Sequence, residues 1–118
     1  MIDRKAIGKT GEEAAARYLE KKGCRILERN VRTAYGEIDL IVLNGESLVF
    51  VEVKTRTSKA FGYPETGITE LKRTHMVHCA EDYLQTHPEW KYPWQLDVIS
   101  VELDQNGGVR IEWFENAI

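Results

Sequence analysis

Two seven-residue runs, residues 37–43 and 47–53, are apolar at nearly every position, and Asn44-Gly45 stands between them. Asn-Gly between β-prone runs is a strong hairpin signal, because a type I′ turn needs positive φ at both central residues. With Asn44 and Gly45 as those central residues, Leu43 opposes Glu46, Glu37 opposes Glu52 and Asp39 opposes Phe50. Strands that are apolar without alternation are covered on both faces. The hairpin therefore predicts a central sheet with helices packed on it, in an α/β domain. Acidic residues inside such strands need a separate explanation.

The flanking sequence supplies the covering elements. Ala14, Ala15, Tyr18 and Leu19 recur at helical spacing over residues 10–22, and Gly23 is a natural stop. Residues 24–30 read as a short edge strand, followed by a polar stretch through Thr33. Residues 55–65 mix turn formers, bases, Phe61 and Tyr63 without a period, which predicts a loop. Thr69 reads as the N-cap of a helix that carries Leu71, Met76, Ala80, Tyr83 and Leu84 and runs to about residue 85. Residues 94–101 and 109–113 read as strands around an Asn106-Gly107-Gly108 turn. At 118 residues the chain is long enough for one core and too short for two, so residues 1–118 are read as a single domain. No stretch approaches a membrane span, and the charged start leads into no apolar signal region. The expectation is a soluble, cytoplasmic protein with no membrane partner, and with Cys24 and Cys79 reduced and buried.

The net charge of −3 argues against a strongly basic nucleic-acid binder, but its distribution is uneven. Residues 1–35 carry nine Lys/Arg against five Asp/Glu, whereas residues 36–53 carry only the acids Glu37, Asp39, Glu46 and Glu52. Residues 54–75 are basic again, five against two, and residues 76–118 are acidic, two against eight. Folding the first and third blocks together would flank an acidic cluster with basic surface. That arrangement suits a metal site facing a polyanion.

In the hairpin register above, Glu37, Asp39, Glu52 and Lys54 project from one face, with Asp39 and Glu52 as diagonal neighbours. Three carboxylates in a low dielectric need protonation, a counter-charge or a cation, and Lys54 supplies only one charge. A hard divalent cation, Mg²⁺ or Mn²⁺, meets the remainder with oxygen ligands. Such an ion activates water and neutralises charge on a scissile phosphate, while Lys54 orients the nucleophile or stabilises the transition state.

Asp39 followed by Glu52-Val53-Lys54 resembles the D…(D/E)xK signature of restriction-endonuclease-like nucleases. Over nearly the whole chain, Gly36-Glu37-Ile38-Asp39-Leu40, Phe50-Val51-Glu52-Val53-Lys54, Phe61-Gly62 and Leu96-Asp97-Val98 resemble the YraN-like bacterial family. Gly8, Gly11, Glu12 and Ala15 match that family's opening Gly-x-x-Gly-Glu-x-x-Ala. The resemblance implies a restriction-endonuclease-like fold, a central mixed β-sheet flanked by α-helices. It also implies a metal-dependent endonuclease hydrolysing DNA, branched or otherwise structured DNA included. Asp39, Glu52 and the Val53 carbonyl would be metal ligands, with Lys54 assisting catalysis. Archaeal Holliday-junction resolvases, which are related, place a first-helix glutamate at the metal, which falls on Glu12 here. Such relatives often act as homodimers, so a homodimer is a further expectation.

Each candidate has a plainer alternative. Asp39, Glu52 and Lys54 could form a structural ion-pair cluster at a sheet end. Glu37 either adds to or supports the site, or pairs with Arg56 or Lys72 at the rim. Asp97 either supports the site from a neighbouring strand or ends burial at an edge. Glu12 lies where a helix dipole favours a carboxylate in any case. Lys9, Arg32, Arg56, Lys59, Lys72 and Arg73 are candidate phosphate contacts or ordinary solvated charges. Phe61 and Tyr63 would stack on bases or anchor their loop. His75, His78 and Cys79 lack the further ligands that zinc requires. Two other functions stand beside the nuclease: a non-catalytic nucleic-acid-binding module of the same fold, and a protein-interaction domain working through acidic residues 76–118.

Overall fold

Ala15, Ala16 and Leu19 recur along one face of helix α1 (Arg4–Lys21), and all three are fully buried. In this computed structural model, which describes residues 4–57 and 69–118, that face covers one side of a sheet. The sheet strands are β1 (Arg25–Thr33), β2 (Gly36–Asn44), β3 (Ser47–Arg56), β4 (Trp94–Leu103) and β5 (Val109–Phe114). They lie in the order β1-β2-β3-β4-β5. Every pairing is antiparallel except β3 with β4, which is parallel. Helix α2 (Glu70–Thr86), which falls between β3 and β4 in the chain, covers the other side through Met76, Cys79, Ala80 and Tyr83. The mixed sheet flanked by helices is the expected α/β architecture.

The two cores explain why the central strands are apolar at every position. Leu40, Val42, Val49, Val51, Ile99 and Val101 pack under α1, while Ile41, Leu48, Phe50 and Leu96 pack under α2. Cys24 is buried in the first core and Cys79 in the second, both as free thiols, as expected.

Several boundaries differ from those read in the sequence. Helix α1 starts at Arg4 rather than at residue 10, since Arg, Lys and Ala are good helix formers. Strand β1 continues through Thr33, because Val31 pairs with Ile38 and Thr33 with Gly36. Strand β3 includes Thr55 and Arg56, expected in a loop, because they pair with Val101 and Glu102 of β4. The rest of that expected loop, with Lys59, Phe61, Gly62 and Tyr63, falls largely outside the described residues.

The hairpin turn lies one residue later than expected. Asn44 pairs with Ser47, so Gly45 and Glu46 are the central residues, and only Gly45 (φ 61°) has positive φ. Glycine first and an ordinary residue second is the type II′ pattern, which spares Asn44 a left-handed conformation. Leu40 then opposes Val51, and continuing this register sets Asp39 directly across from Glu52 rather than from Phe50.

Candidate metal centre

The β2–β3 ladder ends at Leu40↔Val51, and beyond that pair the two strands part. Asp39 fills the opening. Its Oδ2 accepts a hydrogen bond from the Val53 N–H at 2.8 Å, a donor the ladder would otherwise leave to a backbone carbonyl. The side chain thus sits between the strands at the end of the sheet where Glu52 and Lys54 leave β3.

Helix α1 brings Glu12 to the same place. Gly11 is buried, and a Cβ there would stand 1.8 Å from Thr55 Oγ1, so only glycine lets the helix backbone pass this close to the end of β3. Glu12, Glu37 and Asp39 each direct a carboxylate oxygen into a group whose members lie within 4.8 Å of one another. Among the described residues this is the one such cluster of potential metal ligands. Its donor set is all oxygen, which fits a hard divalent cation.

Glu37 reaches the cluster by an irregularity. Leu40 and Val42 pack under α1 and Ile41 under α2, as alternation demands, yet Ile38 also packs under α2. The reversal falls at Asn30, which has a left-handed φ of 50° and lies between the pairs Arg29↔Leu40 and Val31↔Ile38. The expected common face for Glu37, Asp39, Glu52 and Lys54 is therefore not kept: Glu37 turns toward α1. There the Asn30 amide donates to Glu12 Oε1 at 2.9 Å and to Glu37 Oε1 at 3.3 Å. Asn30 was not among the sequence candidates. Its signal was a residue of low β propensity, tolerant of the left-handed region, inside a strand.

Electrostatics separate these groups. Burial pushes Asp39 up to about 8, helped by the charge of Glu52, by a carboxyl–carboxylate hydrogen bond with it and by the charge of Glu12, against the Val53 N–H. Burial lowers the Lys54 pKa, as do the nearby charges of Lys72 and Arg56, while Glu52 opposes the shift. Lys72 of α2 pairs with Glu52 at 2.6 Å, not with Glu37. Burial works against the charge of Lys72, but the hydrogen bond and charge of Glu52 outweigh it and raise its pKa.

The remaining candidates are dispersed. Asp97 is fully buried and pairs in register with Val51, so it leaves the face opposite to Glu52. Its oxygens accept from Gln95 Nε2, Trp113 Nε1 and the Asn116 N–H, which ties β4 to β5 and the chain beyond. Lys9 lines a shallow groove with Glu12, Arg29 and Asn30 beside the cluster. Arg32 lies opposite Glu37 on edge strand β1, and Arg56 ends β3. Arg73 pairs with Glu70 on α2 at 3.2 Å. Lys59 lies outside the described residues. His75 and His78 are exposed, and Cys79 is buried beneath them.

The profile described as Uncharacterised protein family UPF0102 matches residues 11–101. A UPF0102 protein of Pelotomaculum thermopropionicum is 49% identical over 97% of this chain and 96% of its own length. Another, from Marinobacter nauticus, is 42% identical over 95% of this chain and 91% of its own. Among solved structures, SfsA of Pyrococcus furiosus in complex with Ca²⁺ is similar at a TM-score of 0.44 and 16% identity, over 98% of this chain and 64% of that one. No helix among the described residues is long and apolar enough to cross a membrane.

Proposed function

We propose, on the premise that this chain belongs to the UPF0102 family of restriction-endonuclease-like fold, that it is a divalent-metal-dependent endonuclease acting on DNA, structured DNA included. The observation that carries this reading is the carboxylate of Asp39, half-buried against Glu52 and Glu12 at the opening between β2 and β3 with one backbone donor. Asp39 and Glu12, whose carboxylate oxygens converge with that of Glu37, would hold Mg²⁺ or Mn²⁺, with Glu52, hydrogen-bonded to Asp39 but outside that converging group, and the Val53 carbonyl as further ligands. The ion would supply Lewis acidity toward a phosphoryl oxygen.

The chain's own residues divide the remaining work. Asp39 must release its proton before it can act as an anionic ligand, and the Val53 N–H holds the carboxylate in place while it does so. Lys54, on the same strand face as Glu52, orients the attacking water and offers its ammonium to the phosphate as negative charge develops there. Burial of that lysine strengthens the electrostatic contact it makes. Water adds to phosphorus and the P–O bond breaks, leaving a phosphate monoester and a free hydroxyl.

The test is cleavage of duplex, single-stranded and four-way-junction DNA in Mg²⁺ or Mn²⁺. Glu52→Ala and Lys54→Ala are each expected to lower the rate by about 100-fold or more. No cleavage by the pure wild-type chain on any substrate, or cleavage that survives both changes, would sink the proposal.

A further inference from the structure

Glu52 already has a cation. Its Oε2 lies 2.6 Å from Lys72 Nζ, and with the Glu52 side chain only 12% exposed, the ammonium covers this carboxylate from the α2 side. Lys72 belongs to the first turn of α2, where the N-cap Thr69 hydroxyl accepts from its backbone N–H at 3.1 Å. A positive side chain in a helix's first turn is disfavoured by the macrodipole. The helix therefore gives no reason for a lysine here, whereas the carboxylate across the gap does. The Lys72 side chain remains 43% exposed, so one side of its head group meets solvent while the other meets Glu52.

A divalent cation held by Asp39 and Glu52 would stand within a few ångströms of this ammonium. Two cations at that distance in a partly dehydrated site repel strongly, so the ion and Lys72 compete for Glu52. Lysine suits such competition. Its head group is a point charge on a flexible four-carbon stem, whereas the planar fork of an arginine would grip a carboxylate through two bonds.

Building on the metal-dependent reading above, we propose that Lys72 is an exchangeable counter-ion: it neutralises Glu52 while no divalent cation is bound, and on metal binding it moves to a phosphate oxygen of the nucleic acid. No covalent step is involved. One ion pair, carboxylate with ammonium, is replaced by two, carboxylate with metal and ammonium with phosphate. Metal and nucleic acid then favour each other's binding, since each supplies a new partner to a group the other displaces.

Titration calorimetry of the full chain with Mg²⁺, without nucleic acid, tests the first half. Lys72→Met is expected to bind the ion about tenfold more tightly than wild type, and Lys72→Arg is expected not to. Equal or weaker binding by Lys72→Met overturns the exchange and leaves the metal site standing, whereas no binding by wild type removes both. Thermal unfolding with and without Mg²⁺ guards against a folding defect: the ion-induced rise in Tm must be larger for Lys72→Met than for wild type. The second half is read from binding of a short fluorescent DNA duplex in Ca²⁺ across a salt series. Lys72→Met is expected to flatten the log–log salt slope by about one. An unchanged slope overturns the move to phosphate.

Discussion

Asp39, half-buried on β2, and Asp97, fully buried on β4, are the same residue type on strands that flank β3, and the fold treats them in opposite ways. Asp97 receives N–H donors from Gln95, Trp113 and Asn116, all within 3.2 Å. Asp39 receives the Val53 N–H at 2.8 Å and otherwise faces Glu52 and Glu12. A buried carboxylate surrounded by donors is a structural tie, because its lone pairs are satisfied within the fold. One surrounded by other carboxylates is satisfied only by a proton or a cation. The difference marks one aspartate as a structural tie and the other as the group whose surroundings the proposed metal site would account for, a distinction that residue type alone could not make.

Three changes would break or sharpen that contrast. The largest effect is expected from Asp97→Ala, which leaves the part-buried Gln95, Trp113 and Asn116 N–H donors without their acceptor and opens a cavity at a fully buried position, and should destabilise the chain by about 3 kcal/mol in urea unfolding. A loss below about 1 kcal/mol would mean that Asp97 is not the tie described.

Asp39→Asn should act in the other direction and raise the stability of the metal-free chain at neutral pH by about 1–2 kcal/mol, while abolishing stabilisation by Mg²⁺. The pH dependence follows from the raised pKa. In the folded chain Asp39 titrates at about 8, above its ordinary range, so its contribution to stability is full below that ordinary range and is lost as pH rises through about 8. Metal-free wild type should therefore lose Tm between about pH 4 and 8 relative to Asp39→Asn, with the difference levelling off above about 8. Bound Mg²⁺ should reverse this, because ion binding expels the proton and tightens as pH rises. Parallel Tm profiles for the two chains without metal would contradict the assignment.

The smallest change is Asn30→Gly, which keeps the left-handed φ of 50° accessible and removes only the amide that bridges Glu12 and Glu37. Its ion affinity should fall about tenfold with little change in Tm. Unchanged affinity would show that the two glutamates need no clamp.

What could be read from the sequence was local or periodic. Apolar residues on both faces of residues 37–43 and 47–53 announced a sheet covered twice, and Thr69 announced the start of α2. The juxtaposition of Asp39 and Glu52 was also legible, because placing the turn on Gly45-Glu46 instead of Asn44-Gly45 moves the pairing by an even number of residues and preserves the faces. Three features were not legible. The reversal at Asn30 depends on a backbone conformation that a strand pattern does not encode. The extension of β3 through Arg56 depends on pairing with β4, some forty residues later. The approach of Lys72 to Glu52 depends on how α2 crosses the sheet. The last two are long-range events, about which local propensity is silent, and the first left only the low β propensity of Asn30 as a local signal.

The burial of one thiol in each core gives the chain two independent clocks. Cys24 lies with Ala15, Ala16 and Leu19 under the helix that delivers Glu12, and Cys79 lies in the helix that delivers Lys72. Burial, with the charges of Glu115 and Asp97, raises the Cys24 pKa and keeps that thiol slow to react until its layer opens. Alkylation of Cys24 thus times the lifting of one helix and alkylation of Cys79 the lifting of the other. A cation that bridges α1 to the sheet would slow the first clock, while one that displaces Lys72 would leave the second unchanged or quicken it.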